Sequence, residues 1–325
     1  MATALISNVE KEFIVSALSQ LRPNRVDGRR PFDYRSVNIT FPGRLGAALV
    51  QIGRTRAFAR VASDLVTPSP ERPTEGQIRF FVDVSGDREA SAIISNTLEK
   101  CIRDSGAIDL ETLCVLSGVK VWHLRVEIAV IDQCGNLMDC ICLAAIASLR
   151  HFCRPSVTVV GIELTVHSEK ERAPVPLQLH HLPVCTTFAV INNVVILDPT
   201  EKESAVAGAH ITIACNIRKH ICLISKSGGI PIEHDQLKNC IRLACNQTEI
   251  FAELIDKAVK DDLNNRREKL EKGGELVDRD APQAYVDVPL RIRQQRQSTP
   301  TQHESEDSEN DETVNMDDIV LLNTA

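Results

Sequence analysis

A chain of 325 residues with 43% hydrophobic content is long enough for one large domain or two of ordinary size, and its 4% aromatic content makes the core aliphatic. The formal net charge is -7, but eight acids (Glu304, Glu306, Asp307, Glu309, Asp311, Glu312, Asp317 and Asp318) follow Arg296 with no Lys or Arg among them; without them the charge is +1. The acidity therefore belongs to the end of the chain and does not exclude a polyanionic partner for the body.

The 11 cysteines are an odd number, contain no CxxC and mostly sit in apolar runs, as Cys140, Cys142, Cys215 and Cys222 do. Spacing of this kind argues for thiols used as small hydrophobes in a reducing compartment, with no metal site and no disulfide framework. Met1 to Ser7 lacks the basic and apolar regions of a signal peptide, and the longest apolar run, Ile141 to Leu149, is too short to span a membrane. A soluble protein without membrane contact is expected.

Along the chain, Ser7 and Glu10 form a capping box ahead of Phe13, Ile14, Ala17, Leu18 and Leu21 at helical spacing, and Pro23 ends that helix. After the polar turn Arg25 to Arg29, strands are predicted over Ser36–Phe41, Ala47–Ile52 and Arg56–Val66. Three prolines make Pro68–Gly76 a loop. Ile78–Val84 reads as a strand, Glu89–Arg103 as an amphipathic helix, and Val119–Ile131 as an alternating strand. Asp139–Phe152 is apolar on nearly every side, which requires a buried helix.

Further strands are predicted at Ser156–His167, Leu182–Ile191, Val194–Leu197, His210–Asn216 and Ile221–Ser225, then helices at Glu233–Cys245 and Gln247–Leu270. Ile250, Phe251, Leu254, Ile255 and Ala258 of the last helix suit core and partner packing equally. Hairpins followed by a buried helix, twice over, describe an α+β domain of two similar β-hairpin/helix halves with a C-terminal helix and a disordered acidic tail. The expected divisions are 1–24 (N-terminal helix), 25–168 (first half), 169–272 (second half with the C-terminal helix) and 273–325 (tail).

Several motifs carry a family resemblance. Arg25-Val-Asp-Gly-Arg-Arg-Pro31 looks like the RxDGR opening of the RNase PH superfamily, Ala48 to Arg56 resembles its first hairpin, and Cys134-Gly-Asn136 stands where the family has Asp-Gly. Thr74-Glu-Gly76, Lys100 to Ser105, Lys120-Val-Trp122, His180-His-Leu-Pro183 and Leu197-Asp-Pro199 are similar to the non-catalytic ring subunits of the RNA exosome. The resemblance runs from about residue 5 to residue 270 and implies an RNase PH-like fold, a ring with a central RNA channel, and a role in rRNA maturation and mRNA decay.

It also implies partners and places: other ring subunits, with the ribosomal-RNA-processing protein 41 type as direct neighbour; S1/KH cap proteins; RNA without sequence preference; and the nucleus, nucleolus and cytoplasm. No cofactor is implied.

Phosphorolysis brings two anions together, so it needs cations or backbone N–H groups for phosphate and a carboxylate for acid or metal work. In active members, by the same resemblance, a hydroxyl and an arginine following the glycine hold the phosphate. Here Leu137 and Met138 take those places, and Asp139 would repel an anion. One catalytic carboxylate matches Asp198, but Ser204 stands where the second belongs. Asp198 before Pro199-Thr200 also suits a turn residue accepting backbone N–H bonds. No catalytic residue is assigned. The alternative function is a phosphorolytic 3′-to-5′ exoribonuclease.

For RNA the candidates are Lys100, Arg103 and Arg72. Lys100 and Arg103 lie one helical turn apart on one face, and the resemblance takes the matching pair to RNA at a subunit interface. A solvated face with ion pairs to Glu99 or Asp104 explains the same pattern. Arg72 lies in the proline-rich loop whose family counterpart faces the channel; alone it is an ordinary surface arginine. Arg54, Arg56 and Arg60 alternate on one strand face, which suits phosphate contacts or a subunit interface. With no aromatic platforms nearby, binding is expected to be electrostatic. His180 and His181, adjacent on a strand, point apart and cannot chelate together. The acidic and aliphatic run ending in Ile319, Val320, Leu321 and Leu322 resembles a SUMO-interacting motif, which adds a strand to a sheet edge.

Overall fold

The computed structural model describes residues 6–20, 23–160, 163–167 and 171–271. The acidic tail and its SUMO-motif resemblance lie outside the described residues. Among these, no helix is long and apolar enough to cross a membrane.

Helix α1 (Asn8–Leu18) begins at the expected capping box, with Ser7 and Glu10 each accepting the other's backbone N–H. Ile14 and Leu18 are buried, whereas Phe13 is 60% exposed, so the inward stripe is narrower than the apolar count suggested. The helix also stops before Leu21.

Strands β1 (Val37–Thr40), β2 (Ala47–Ile52), β3 (Thr55–Val66), β4 (Gln77–Asp83), β5 (Cys114–Leu116) and β6 (Lys120–Asp132) form the first sheet. Its order is β1-β2-β3-β6-β4, with β5 also on β6 and β4 the one strand parallel to its neighbour. That parallel pair needs a crossover, which α2 (Arg88–Leu98) supplies by packing on β4. The predicted helix to Arg103 is α2 plus a wider π-type turn, Glu99–Asp104. A 3-10 turn, Glu111–Leu113, follows before β5.

Helix α3 (Leu137–His151) is buried along almost its whole length. The reason is its position: it packs on β2, β3 and β6 and, on its other side, on β11 (Val184–Ile191), whose eight residues are all buried. In the chain segment joining α3 to β11 are the short strands β7 (Cys153–Arg154) and β10 (Val175–Pro176), which pair, and the hairpin β8 (Val157–Val160) and β9 (Glu163–Val166). The single strand expected over Ser156–His167 is thus two.

The second sheet runs β12-β11-β13-β14, antiparallel throughout, with β12 (Val194–Leu197), β13 (Ala209–Cys215) and β14 (Ile221–Gly228). The short helix α4 (Glu201–Val206), not anticipated from periodicity, has its own capping box from Thr200 and Glu203. The two C-terminal helices are one, α5 (His234–Glu271): Asn246 does not break it, because Phe251, Ala252 and Ile255 continue the buried stripe set by Cys240 and Ala244. It packs on β11 and β13 and touches α3 and β1. This is the α+β arrangement expected.

Candidate functional site

The loop before β1 docks three arginines onto the β12–α4 connection. Arg25, 4% exposed, donates Nη1–H to the Leu197 carbonyl at 2.6 Å and Nη2–H to the Asp198 carbonyl at 2.8 Å. It also forms a bidentate ion pair with Glu203, the residue that caps α4. Arg29 reaches Asp198 Oδ2 at 2.9 Å and Asp27 at 2.6 Å. Arg35 grips Asp198 by both arms of its fork, Nε–Oδ2 2.8 Å and Nη2–Oδ1 2.7 Å, and adds its backbone N–H at 3.1 Å.

The left-handed Asn136, at φ 51°, turns its side-chain amide inward, and Nδ2 lies 2.7 Å from Asp198 Oδ1 and 2.8 Å from Asp139 Oδ2. Asp139 takes further bonds from Tyr34 Oη at 2.9 Å, Thr187 N at 3.0 Å and Thr187 Oγ1 at 2.7 Å. Gly135 makes the turn possible: its φ is +86°, and a Cβ there would lie 2.5 Å from the Thr200 carbonyl carbon.

These contacts set the charges. Burial by itself would raise the Asp198 carboxyl, but the Arg35 guanidinium bonded to it, with Arg29 and Asn136, holds it below the usual carboxylate range. Burial likewise works against Glu203, and the bound Arg25 outweighs it. Asp139 has no cation beside it, so burial pushes its carboxyl up to about 7 despite the Thr187 and Asn136 donors. Burial and the facing Asp139 raise the Tyr34 hydroxyl well above its ordinary value.

Two expectations are corrected. Asp198 does not serve its own turn: at φ 50° its carboxylate points inward to Arg29, Arg35 and Asn136, and the Thr200 N–H goes to Glu203 instead. Asp139, completely buried, faces Tyr34 and Thr187 rather than an anion's path.

The basic candidates are elsewhere and exposed. Lys100 and Arg103 sit on the π-type turn, which is wider than an α-helical one, so the same-face spacing assumed for an α-helix does not hold; both are nonetheless solvent-exposed. Arg103 bonds Asp104 at 2.9 Å and lies 3.7 Å from Glu99, the ion pairs named as the alternative. Arg72, its side chain 70% exposed, pairs with Glu75 at 3.1 Å. Arg54 is in the β2–β3 turn and not on the strand. Arg56 and Arg60 share the outer face of β3 but stand opposite Asp132 and Glu127 in register, so that face is charge-balanced. An open groove of about 550 Å³ beside them is lined by Gln51, Arg54, Arg56, Asp132, Gln133 and Cys134.

His180 and His181 lie in a loop and diverge, His180 to within 3.9 Å of Asp109 and His181 to within 3.9 Å of the Cys222 sulphur.

Residues 33–155 match the 3′ exoribonuclease family, domain 1, and residues 181–247 match its domain 2. The chain is 38% identical over 275 residues to exosome complex component RRP45 of Danio rerio, covering 81% of this chain and 70% of the relative. It is 36% identical to exosome complex component rrp45 of Schizosaccharomyces pombe, covering 79% and 91%. The chain belongs to the RNase PH family.

The human relative, also an exosome complex component RRP45, is 37% identical, and the chain spans 62% of its length. Among solved structures, an archaeal exosome core superposes with a TM-score of 0.67 at 26% identity, covering 76% of this chain and 96% of that one. An Archaeoglobus fulgidus exosome with RNA bound to the active site gives 0.66 at 25% identity, covering 75% and 97%.

The positions that the resemblance gives to phosphate binding lie at the start of α3. There Leu137 is buried in the core and Met138 is partly exposed, and neither side chain can carry a positive charge. The arginines of the RxDGR opening, Arg25 and Arg29, are present but bound to the chain's own Glu203 and Asp198. Sequence reasoning singled out Asp198 and Asp139 but missed Tyr34, Arg35, Asn136 and Glu203, because the contacts joining them span 62 to 178 residues, apart from the local Asn136–Asp139 bond.

Proposed function

We propose that this chain is a non-catalytic ring subunit of the RNA exosome, supporting 3′-to-5′ RNA processing and degradation by scaffolding and by charge-based contacts with RNA. One observation carries the non-catalytic reading. Asp198, the carboxylate at the family's catalytic position, is completely buried with both oxygens engaged by Arg29, Arg35 and Asn136. A carboxylate committed in this way cannot reach substrate or recruit a metal, and no cationic side chain stands at Leu137 or Met138 to hold phosphate. The names of the 36–38% identical relatives support the ring assignment.

Within the ring, Lys100, Arg103 and Arg72 meet RNA backbone, the ribosomal-RNA-processing protein 41 type is the direct neighbour, and S1/KH proteins cap the assembly. The acidic tail offers Ile319, Val320, Leu321 and Leu322 to SUMO. The sites of action are the nucleus, nucleolus and cytoplasm.

The test is phosphorolysis of 3′-labelled RNA by the purified chain with phosphate and magnesium. Release of nucleoside diphosphates at background level is expected; release above it that Asp198→Asn abolishes refutes the non-catalytic reading. Co-expression with the neighbour type should yield a stable heterodimer by native mass measurement, and a stable monodisperse monomer would contradict the ring.

A further inference from the structure

Spacing gave no reason to group the cysteines, yet the fold gathers three of them. The sulphurs of Cys101, Cys142 and Cys185 all lie within 4.8 Å of one another, and all three residues are 0% exposed. They arrive from three elements: the π-type turn after α2, the buried helix α3 and the central strand β11. No other group of three or more potential ligands of this kind occurs among the described residues. The Cys215 and Cys245 sulphurs, 3.6 Å apart, are only a pair.

Three edges of the cluster are close to those of a coordination polyhedron. Cys101 and Cys185 sulphurs are 3.7 Å apart, and the Pro183 carbonyl oxygen lies 3.5 Å from Cys142 Sγ and 3.9 Å from Cys101 Sγ. A tetrahedral zinc ion with Zn–S of about 2.3 Å and Zn–O of about 2.1 Å requires S···S edges of roughly 3.8 Å and S···O edges of roughly 3.6 Å. We propose that Cys101, Cys142, Cys185 and the Pro183 carbonyl form a binding site for a single soft, thiophilic cation of the zinc class.

Soft thiolate sulphur selects such ions over magnesium or calcium, whose ligands are oxygens. Binding releases thiol protons, so affinity rises with pH. The bound ion ties together elements from both family domains and fixes the turn on which Cys101 lies between Lys100 and Arg103.

The experiment adds Co²⁺ as a spectroscopic probe and Zn²⁺ as competitor to the reduced full-length chain, held with its co-expressed neighbour where needed for solubility. The wild type should bind about one Co²⁺ with thiolate charge-transfer absorption and tetrahedral d–d bands, displaced by Zn²⁺. Cys142→Ala and Cys185→Ala should each lose the signal, whereas Cys245→Ala should keep it.

A second measurement needs no variant. Alkylation of the wild type in mild denaturant, mapped by peptide mass, should show Cys101, Cys142 and Cys185 protected by Zn²⁺ and Cys245 not. Reduced wild type that binds no Co²⁺ and shows no Zn²⁺ protection overturns the site, leaving three thiols that only fill the core. A Cys101–Cys185 disulfide in the purified native chain, with no metal bound, overturns it equally.

Discussion

The pocket around Asp198 and the turn carrying Lys100 and Arg103 are both rich in charge, and they spend it differently. In the pocket Arg25, Arg29 and Arg35 bind Glu203 and Asp198 from the same chain, with side-chain exposure of 14% or less throughout. On the turn, Lys100 is exposed and Arg103 shares its charge with two partly exposed acids across water-screened contacts. Buried charge cannot be released cheaply, so the pocket fixes how the N-terminal loop docks and leaves nothing for a ligand. Exposed charge adds little to the fold and stays available to an incoming phosphate backbone.

The contrast breaks first at Asp198. Asp198→Ala leaves the buried Arg35 without a counter-charge and Arg29 with only the more exposed Asp27, and should destabilise by about 3–5 kcal/mol in urea unfolding of the heterodimer. A loss under about 1 kcal/mol, the range of exposed pairs, would mean the pocket is wetter than its burial indicates.

Asp139 sharpens the comparison through pH. Its folded pKa, about 7, lies above the unfolded value, so the folded state binds more protons between the two and this residue's contribution to stability declines as pH rises from about 4 to about 7. Asp198, held low by Arg35, runs the other way and weakens the fold as pH falls through the carboxylate range. Asp139→Asn removes the first effect, so the stability of wild type relative to the variant should fall across pH 4–7, by up to about 4 kcal/mol. A flat difference curve would show that Asp139 is ionised throughout.

Gly135→Ala follows, at about 2–3 kcal/mol, since a side chain at φ +86° is strained and would press on the Thr200 backbone. A neutral effect in thermal unfolding would mean that this turn can rearrange.

Much of this was legible in the sequence. A strand-like run after the Gly53 turn located β3, alternation located β6, all-round apolarity located α3, and Ser7 with Glu10 marked the first helix because those signals are local. The single α5 was read as two helices because its buried stripe continues through a polar stretch at Asn246 and Gln247, and buried Gln247 is invisible to a hydropathy count. The site was legible only in its parts: the departure at Leu137 and Met138 could be read directly, but whether Asp198 was free or engaged depended on Arg35, 163 residues away. Nor does any spacing rule bring Cys101, Cys142 and Cys185 together, since three elements with no shared period meet only after folding.

The smallest effect on stability tests the contrast most directly. Lys100→Ala with Arg103→Ala should shift the stability of the reconstituted ring by under about 1 kcal/mol and leave assembly intact. The same pair of changes should weaken RNA binding and flatten the log–log salt dependence by roughly one to one and a half slope units for a single strand. RNA affinity of the wild-type and substituted rings, measured across one salt series, decides it. A lower affinity with the flatter slope is the predicted result; unchanged affinity and slope would contradict the claim that this exposed charge is what the chain offers to RNA.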